Sequence, residues 1–159
     1  GSEMCIRDRN ANSFLFLGRH VGYPVALEGA LKLKEIAYTF TEGFAAGELK
    51  HGPIALVDEG EPVVFIVPPE RGRNVLHAKV ISGIEEVKAR GAYIIAVAEQ
   101  GDPDVERYAD VVFWRPACPT LMSPLVDVVP LQLFAMDMAK LKGYDVDKPR
   151  NLAKSVTVE

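Results

Sequence analysis

The sequence is poor in cysteine, in basic excess and in long apolar runs, and each shortage excludes a class of protein. Its 159 residues include only two cysteines, Cys5 and Cys118, with no CxxC spacing, so neither a disulfide scaffold nor a metal site is expected. Lysine and arginine number 18 against 22 aspartates and glutamates, whereas nucleic-acid binding needs a basic face. No apolar stretch reaches the roughly 18 residues of a membrane span. We therefore expect a soluble, cytoplasmic protein.

What the sequence does contain fits one globular domain. Hydrophobic residues make up 48% and charged residues 25% of the chain, close to the averages of folded domains. Residues 1–12 (GSEMCIRDRNAN) show no helical or strand period and no apolar signal-peptide core, so we expect a disordered arm or a non-native leader. Residues 13–143 are predicted to form the folded module, and residues 144–159 a separate tail.

Strand-like runs alternate with helix-like runs along the module. Short apolar runs predict four buried strands, at 13–17, 62–67, 93–97 and 109–113. Apolar spacing near 3.6 residues predicts helices at 25–40, 74–90 and 123–142, with a long glycine-rich loop at 41–53 and His77 on a surface face. Strands joined through helices pair in parallel, and continuously apolar strands are covered on both faces. The predicted fold is a single α/β domain with a three-layer, doubly wound, flavodoxin-like sheet.

The helix segment EGALKLKE (28–35) is the first candidate for chemistry. Lys32 and Glu35 are three residues apart and share a helical face, and Glu28 lies one turn before Lys32. One interpretation is a salt-bridged edge on a packed helix. The other is a general acid or base, because burial and a neighbouring charge tune the pKa of a carboxyl group.

Two loops offer further candidates. The segment AGELKHGP (46–53) places His51 in a glycine-rich loop, and histidine titrates near neutrality and suits proton transfer, although a lone loop histidine is more often without a function. The loop GRHVGY (18–23) follows the first strand, where α/β proteins bind anions. It contains no serine or threonine, however, and its Arg19 and His20 are equally compatible with a solvated surface.

The last residues, KPRNLAKSVTVE (148–159), are unusual for a chain end. Leu152, Val156 and Val158 alternate with Arg150 and Lys154, whereas frayed termini are generally polar. A lysine held among apolar neighbours has a lowered pKa, and its neutral amine can attack a carbonyl group. A basic tail anchored by valines is the alternative explanation of the same pattern.

Together, EGALKLKE, AGELKHGP and the terminal DVDKPRNLAKSVTVE resemble the isomerase half of the glutamine–fructose-6-phosphate aminotransferase family. The resemblance runs from about residue 14 to residue 159, in the same order and at the same spacing. It is to the second of two sugar isomerase (SIS) modules, which the family builds on a five-stranded parallel sheet. The resemblance therefore implies one strand more than the four that the apolar runs predict.

The resemblance implies a role for each candidate residue. In the family, the lysine matching Lys154 forms a Schiff base with C2 of open-chain fructose 6-phosphate, and the glutamate matching Glu35 moves a proton between C1 and C2. The histidine matching His51 helps to open the sugar ring and is contributed to the neighbouring subunit's site. The lysine matching Lys32 supports charge on the reacting oxygens, and the arginine matching Arg150 helps to order the site.

The resemblance also implies parts that this sequence does not show. The family's glutaminase domain and its first SIS module, whose hydroxyl-rich loop holds the sugar phosphate, have no counterpart among the 159 residues. We therefore expect a piece of a longer, homodimeric enzyme that is inactive alone and needs no cofactor or metal. The alternatives are a non-catalytic SIS module that senses a sugar phosphate, and a related SIS enzyme that removes amines from fructosamine phosphates.

Overall fold

A computed structural model describes residues 11–70 and 74–152 and contains a five-stranded parallel sheet. The strands are β1 (Ser13–Gly18), β2 (Phe40–Ala45), β3 (Pro62–Ile66), β4 (Tyr93–Glu99) and β5 (Val111–Arg115), in the order β2-β1-β3-β4-β5. The helices are α1 (Gly22–Ala37), α2 (Asn74–Lys88), α3 (Pro103–Tyr108) and α4 (Ser123–Leu141). This is the flavodoxin-like strand order, so the predicted fold class is confirmed. Most of the predicted arm 1–12 lies outside the described residues.

Two apolar cores, one on each face of the sheet, define the three layers. Phe14 and Phe16 of β1 point towards α1 and α4, where they join Leu33 and Phe134 in one buried cluster. The alternate residues of the same strand, beginning with Leu15, join the cluster under α2 and α3. Because successive side chains of a strand point to opposite faces, both faces of β1 are buried, as its apolar run predicts.

The fifth strand lies where the sequence predicted the end of a helix and a loop. Helix α1 ends at Ala37, and the chain turns at Tyr38, whose φ of 50° is left-handed. Residues Phe40–Ala45 then pair with the whole length of β1 as an edge strand. The segment FTEGFA escaped the apolar-run criterion because an edge strand is only partly buried; Phe40 is 67% exposed. Two short 3₁₀ helices, Ala46–His51 and Pro53–Leu56, make up most of the remaining predicted loop.

The glycine in this edge strand permits a close approach of α1. A Cβ added to Gly43 would lie 2.9 Å from Leu27 Cδ2 and 3.2 Å from the Leu27 backbone. Beside it, the buried Thr41 donates its hydroxyl hydrogen to the Ala30 carbonyl at 2.6 Å. Both contacts hold α1 against β2, so the helix that carries Lys32 and Glu35 is fixed to the sheet edge.

Helix α4 is more apolar than the sequence analysis allowed. With the preceding 3₁₀ turn it forms a 22-residue helical stretch, Thr120–Leu141, with a mean hydropathy of 1.3, long and apolar enough to cross a membrane by those two criteria. The expectation that no stretch qualifies was therefore wrong. Its inner face packs in the core through Leu131, Phe134 and Met138. Its outer face exposes Leu121, Leu125, Val129 and Leu133.

Candidate functional site

Lys32 and Glu35 form an ion pair on the last two turns of α1. Lys32 Nζ lies 2.7 Å from Glu35 Oε2 and 3.5 Å from Glu28 Oε1, and all three side chains are between 27% and 39% exposed. The hydrogen bond to Glu35, helped by the charge of Glu28, raises the pKa of Lys32 above its ordinary value, against the opposing effect of burial. Both predicted partners of Lys32 are thus present at once.

This arrangement can carry out proton transfer beside a charged oxygen. Glu35 is partly accessible, so its carboxylate can accept a proton from a bound substrate and return it. Lys32 stays protonated at neutral pH, so its ammonium group can stabilise negative charge on a substrate oxygen. A carboxylate that can accept a proton and an ammonium group that can stabilise negative charge are therefore available within one turn of α1.

Arg150, the predicted site residue of the tail, docks at the end of the same helix. Its guanidinium Cζ lies 4.0 Å from the centroid of the Tyr38 ring, and its backbone N–H donates to the Tyr38 hydroxyl at 2.7 Å. Tyr38 follows α1 directly, three residues after Glu35. The structure therefore brings Glu35 and Arg150 to one region, while Lys154 lies outside the described residues.

Lys142 joins the ends of α1 and α4 in this region. Its Nζ donates to the Thr39 hydroxyl at 2.5 Å and to the Ala37 carbonyl at 3.4 Å. The second acceptor belongs to the last turn of α1, where a cation is favourable. Burial lowers the pKa of Lys142. This link was not predicted, because nothing in the sequence marks two residues 103 positions apart as neighbours.

His51 lies elsewhere, at the end of the 3₁₀ helix that follows β2. Its Nδ1 is 2.7 Å from Glu48 Oε2, and both side chains are well exposed, at 70% and 65%. Leu49 of the same 3₁₀ helix is buried in the cluster under α2, on the sheet face opposite α1. A carboxylate on Nδ1 fixes the ring orientation and leaves Nε2 available.

His51 and Glu35 are therefore at opposite ends of the sheet in one copy of the chain. Glu35 precedes the amino end of β2, whereas His51 follows its carboxyl end, and the six residues of β2 span roughly 20 Å. The structure brings Lys32, Glu35 and Arg150 to one end and does not bring His51 to them. A site using both His51 and Glu35 must draw them from two copies.

The carboxyl edge of the sheet, where open α/β sheets usually bind ligands, contains cavities lined by other residues. One cavity of about 250 Å³ is lined by Arg19, Lys50, Lys79 and Ser82, with Glu86 pairing to Lys50 at 2.7 Å. Arg19 of the loop GRHVGY thus faces a basic cavity, and anion binding by that loop stays a prediction.

His77 was wrongly placed on a surface face, because it is 3% exposed. Its Nε2 lies 2.7 Å from Asp102 Oδ2, and Asp102 Oδ1 accepts the N–H groups of Asp104 and Val105 at the start of α3. These three groups, His77, Asp102 and Asp104, offer ligand atoms within 4.8 Å of one another. Asp102 is the N-cap residue of α3, so its bonds to His77 and to two N–H groups of the helix give it a structural role.

A buried ion pair at the carboxyl edge also escaped the sequence analysis. Arg115, the last residue of β5, pairs through Nε with Asp127 of α4, and the two side chains are 2% and 1% exposed. Arg115 also lies 3.2 Å from Glu99 Oε2. Burial raises the pKa of Asp127, although the charge of Arg115 opposes that shift. The pair fixes α4 to the sheet and has a structural role.

The five-stranded parallel sheet agrees with the class of protein that comparison identifies. Residues 9–142 match the SIS domain, and the chain belongs to that family. The chain is 67% identical, over 95% of its length, to the glutamine–fructose-6-phosphate aminotransferase [isomerizing] of Corynebacterium diphtheriae. It is 59% identical, over 99% of its length, to the protein of that name from Mycobacterium tuberculosis. It spans about a quarter of the length of each.

A solved structure agrees with these relatives. The C-terminal domain of glucosamine-fructose-6-phosphate aminotransferase from Francisella tularensis matches 92% of this chain with a TM-score of 0.82 and 38% sequence identity, and the match covers 40% of that domain. The resemblance found in the sequence, both to the family and to its SIS fold, is therefore confirmed.

Proposed function

We propose that this chain is the catalytic SIS module of an enzyme that makes glucosamine 6-phosphate from fructose 6-phosphate and glutamine-derived ammonia. The observation that carries the proposal is the meeting of Lys32 and Glu35 with the docked tail at one end of the sheet. The names of relatives that are 59% to 67% identical support the choice of reaction.

Each residue has a role in this proposal. The neutral amine of Lys154 attacks C2 of the open-chain ketose and, with loss of water, forms a Schiff base. Ammonia then adds at C2 and displaces the lysine amine, which leaves a sugar imine and a free Lys154. Glu35 takes a proton from C1 and returns it at C2, while the Lys32 ammonium stabilises charge on the sugar oxygens. His51, exposed at the far end of the sheet, assists ring opening in the neighbouring subunit. Arg150 orders the tail through its contacts with Tyr38.

The partners follow from the same proposal. The parent protein would be a cytoplasmic homodimer that binds fructose 6-phosphate, with a glutaminase domain and another SIS module completing the chain. It would use no cofactor or metal and bind neither nucleic acid nor membrane. The several exposed leucines of α4 and of α1 (Leu27 and Leu31) support burial against further protein, because exposed apolar side chains in number are typical of interaction surfaces.

In this division, residues 13–143 form the module, and residues 144–159 form its catalytic tail. Because the sugar-phosphate cradle belongs to the other SIS module, we expect the 159-residue chain to fold without turning over fructose 6-phosphate. Conversion of fructose 6-phosphate to glucose 6-phosphate by the purified chain would contradict this expectation.

The decisive test is borohydride trapping in the parent enzyme. Fructose 6-phosphate followed by borohydride should label the peptide containing Lys154, and Lys154→Arg should abolish both the label and sugar turnover. Lys148→Arg, in the same tail, is the matched control and should keep both. Turnover that survives in Lys154→Arg contradicts the proposal, and a wild-type enzyme that binds the sugar without forming a label favours a sensing module.

A further inference from the structure

We propose that Tyr38 is the positioning residue that holds the tail so that Lys154 reaches the Glu35 end of the module. This inference rests on the proposed function. It concerns a side chain that makes no contact with Lys32 or Glu35 among the described interactions, so Tyr38 acts through the tail and not on the substrate.

Tyr38 contacts the tail at two separate points. Its ring lies 4.7 Å from the ring of Tyr144, centroid to centroid, at an angle of 60°. The Arg150 guanidinium lies 4.0 Å from the same ring. Its hydroxyl accepts the Arg150 N–H at 2.7 Å. One half-buried side chain thus makes three contacts with two segments of the tail.

The backbone of Tyr38 is itself held in place. Its φ of 50° is uncommon for a residue with a Cβ, and the turn it forms ends α1. On either side of it, Ala37 and Thr39 both accept hydrogen bonds from Lys142. The position of the ring is thereby fixed relative to the helix that carries Glu35.

Anchoring at Arg150 shortens the free chain that leads to Lys154. Lys154 is four positions after Arg150, so the Lys154 Cα can lie at most about 14 Å from the anchor. Without the anchor, the tail would be free from Val146, which packs against the core, and eight positions could extend about 29 Å. The effective concentration of a tethered group falls roughly as the −3/2 power of tether length. The anchor alone therefore gives about a threefold gain, before any gain in orientation.

Two substitutions distinguish the contribution of the Tyr38 ring from that of its hydroxyl group. Tyr38→Phe keeps the ring against Tyr144 and the guanidinium but removes the acceptor for the Arg150 N–H. Tyr38→Leu removes both. In the parent enzyme we expect kcat and the rate of borohydride trapping at Lys154 to fall by about two- to threefold for Phe and about tenfold for Leu, with KM for fructose 6-phosphate nearly unchanged.

The control is Phe40→Leu, an aromatic change two residues away on an exposed side chain. A general loss of stability would lower the amount of active enzyme, but the kcat of the remaining folded enzyme would then be the same in Tyr38→Phe and Tyr38→Leu. The double variant Tyr38→Leu with Arg150→Met should cost no more than Tyr38→Leu alone, because the two residues act through one contact. Equal kcat in all position-38 variants, or additive losses in the double variant, would overturn the proposal.

A second measurement does not depend on sugar chemistry. In the 159-residue chain, trypsin cleavage after Arg150 and Lys154 should be about tenfold faster in Tyr38→Leu than in wild type, and unchanged in Phe40→Leu. Unchanged cleavage in Tyr38→Leu overturns the anchor whatever the trapping shows. Faster cleavage together with no wild-type label at Lys154 overturns the proposed function, and with it the positioning role, while leaving the anchor itself intact.

Discussion

The carboxyl and amino ends of this parallel sheet differ in the cavities and the charged side chains that lie there. The carboxyl end has the described cavities and the buried Arg115–Asp127 pair, and it presents His51 to solvent. The amino end has no such buried pair among the described residues, but it gathers Lys32, Glu35 and the docked Arg150 around the last turn of α1. The end with the conventional concave features is therefore not the end where the candidate chemical groups meet.

This contrast shows why position in the fold alone is a weak guide to the site. The general preference for carboxyl edges arises from loops and helix amino ends gathered there. In the proposed site, the reacting groups are side chains on a helix surface, and the tail supplies the remaining one. Such a site needs another protein surface to close it, which agrees with a chain that spans about a quarter of its relatives.

The largest expected effect tests the amino end. In the parent enzyme, Glu35→Gln should lower kcat for glucosamine 6-phosphate formation by about 10²- to 10⁴-fold, because the amide cannot accept the C1 proton. Glu106→Gln, an exposed change on α3 at the opposite face of the sheet, is the control and should leave kcat unaltered. Nearly wild-type kcat in Glu35→Gln would remove the chemical role from this end.

The second effect tests the carboxyl end through stability. Asp127→Ala removes the nearer carboxylate from the buried Arg115 and leaves Glu99, at 3.2 Å, as its remaining partner. It should lower the free energy of unfolding by about 2–3 kcal/mol, less than the full cost of leaving a buried charge unpaired. Urea denaturation of the 159-residue chain measures it, with the exposed Asp137→Ala on the same helix as a control of under about 0.5 kcal/mol. If the two variants unfold alike, the buried pair is not what holds α4.

The third effect links the two ends across subunits. Parent chains carrying Glu35→Gln and parent chains carrying His51→Ala should each be nearly inactive, yet co-expression should restore about a quarter of wild-type activity. Random pairing makes half of the dimers mixed, and each mixed dimer has one site with both wild-type residues. Failure to complement, with mixed dimers confirmed by mass, would place both residues in one subunit's site.

The smallest effect is a pH dependence at the amino end. Because the folded-state pKa of Lys32 is raised above 10.5, its charged pair stabilises the fold below pH 10.5, and that contribution is lost as pH rises through the folded-state pKa. We expect Lys32→Met to remove this alkaline loss, which is at most about 1 kcal/mol for a partly exposed pair. Unfolding free energies of both chains above pH 10 would show it, and identical slopes would argue against the pair.

The buried strands of the sheet and the Lys32–Glu35 pair could be predicted from the sequence, because both depend on local patterns. Apolar runs identify buried strands, and three-residue spacing places Lys32 beside Glu35. It missed the edge strand Phe40–Ala45, whose side chains are only partly buried, and it missed His77, whose burial depends on a partner 25 residues away. Contacts such as Tyr38 with Arg150 join residues that no local pattern connects.

The hydrogen bond from Arg150 to Tyr38 spans 112 positions of the chain. Contacts between residues so distant in sequence form late in folding, since the cost of closing the intervening loop must first be offset by the rest of the structure. Because Tyr38 follows α1 and Lys142 joins that turn to the end of α4, we expect the tail to dock after these two helices have packed. Under the proposed function, the site that uses Lys154 is therefore complete only in molecules that have finished folding.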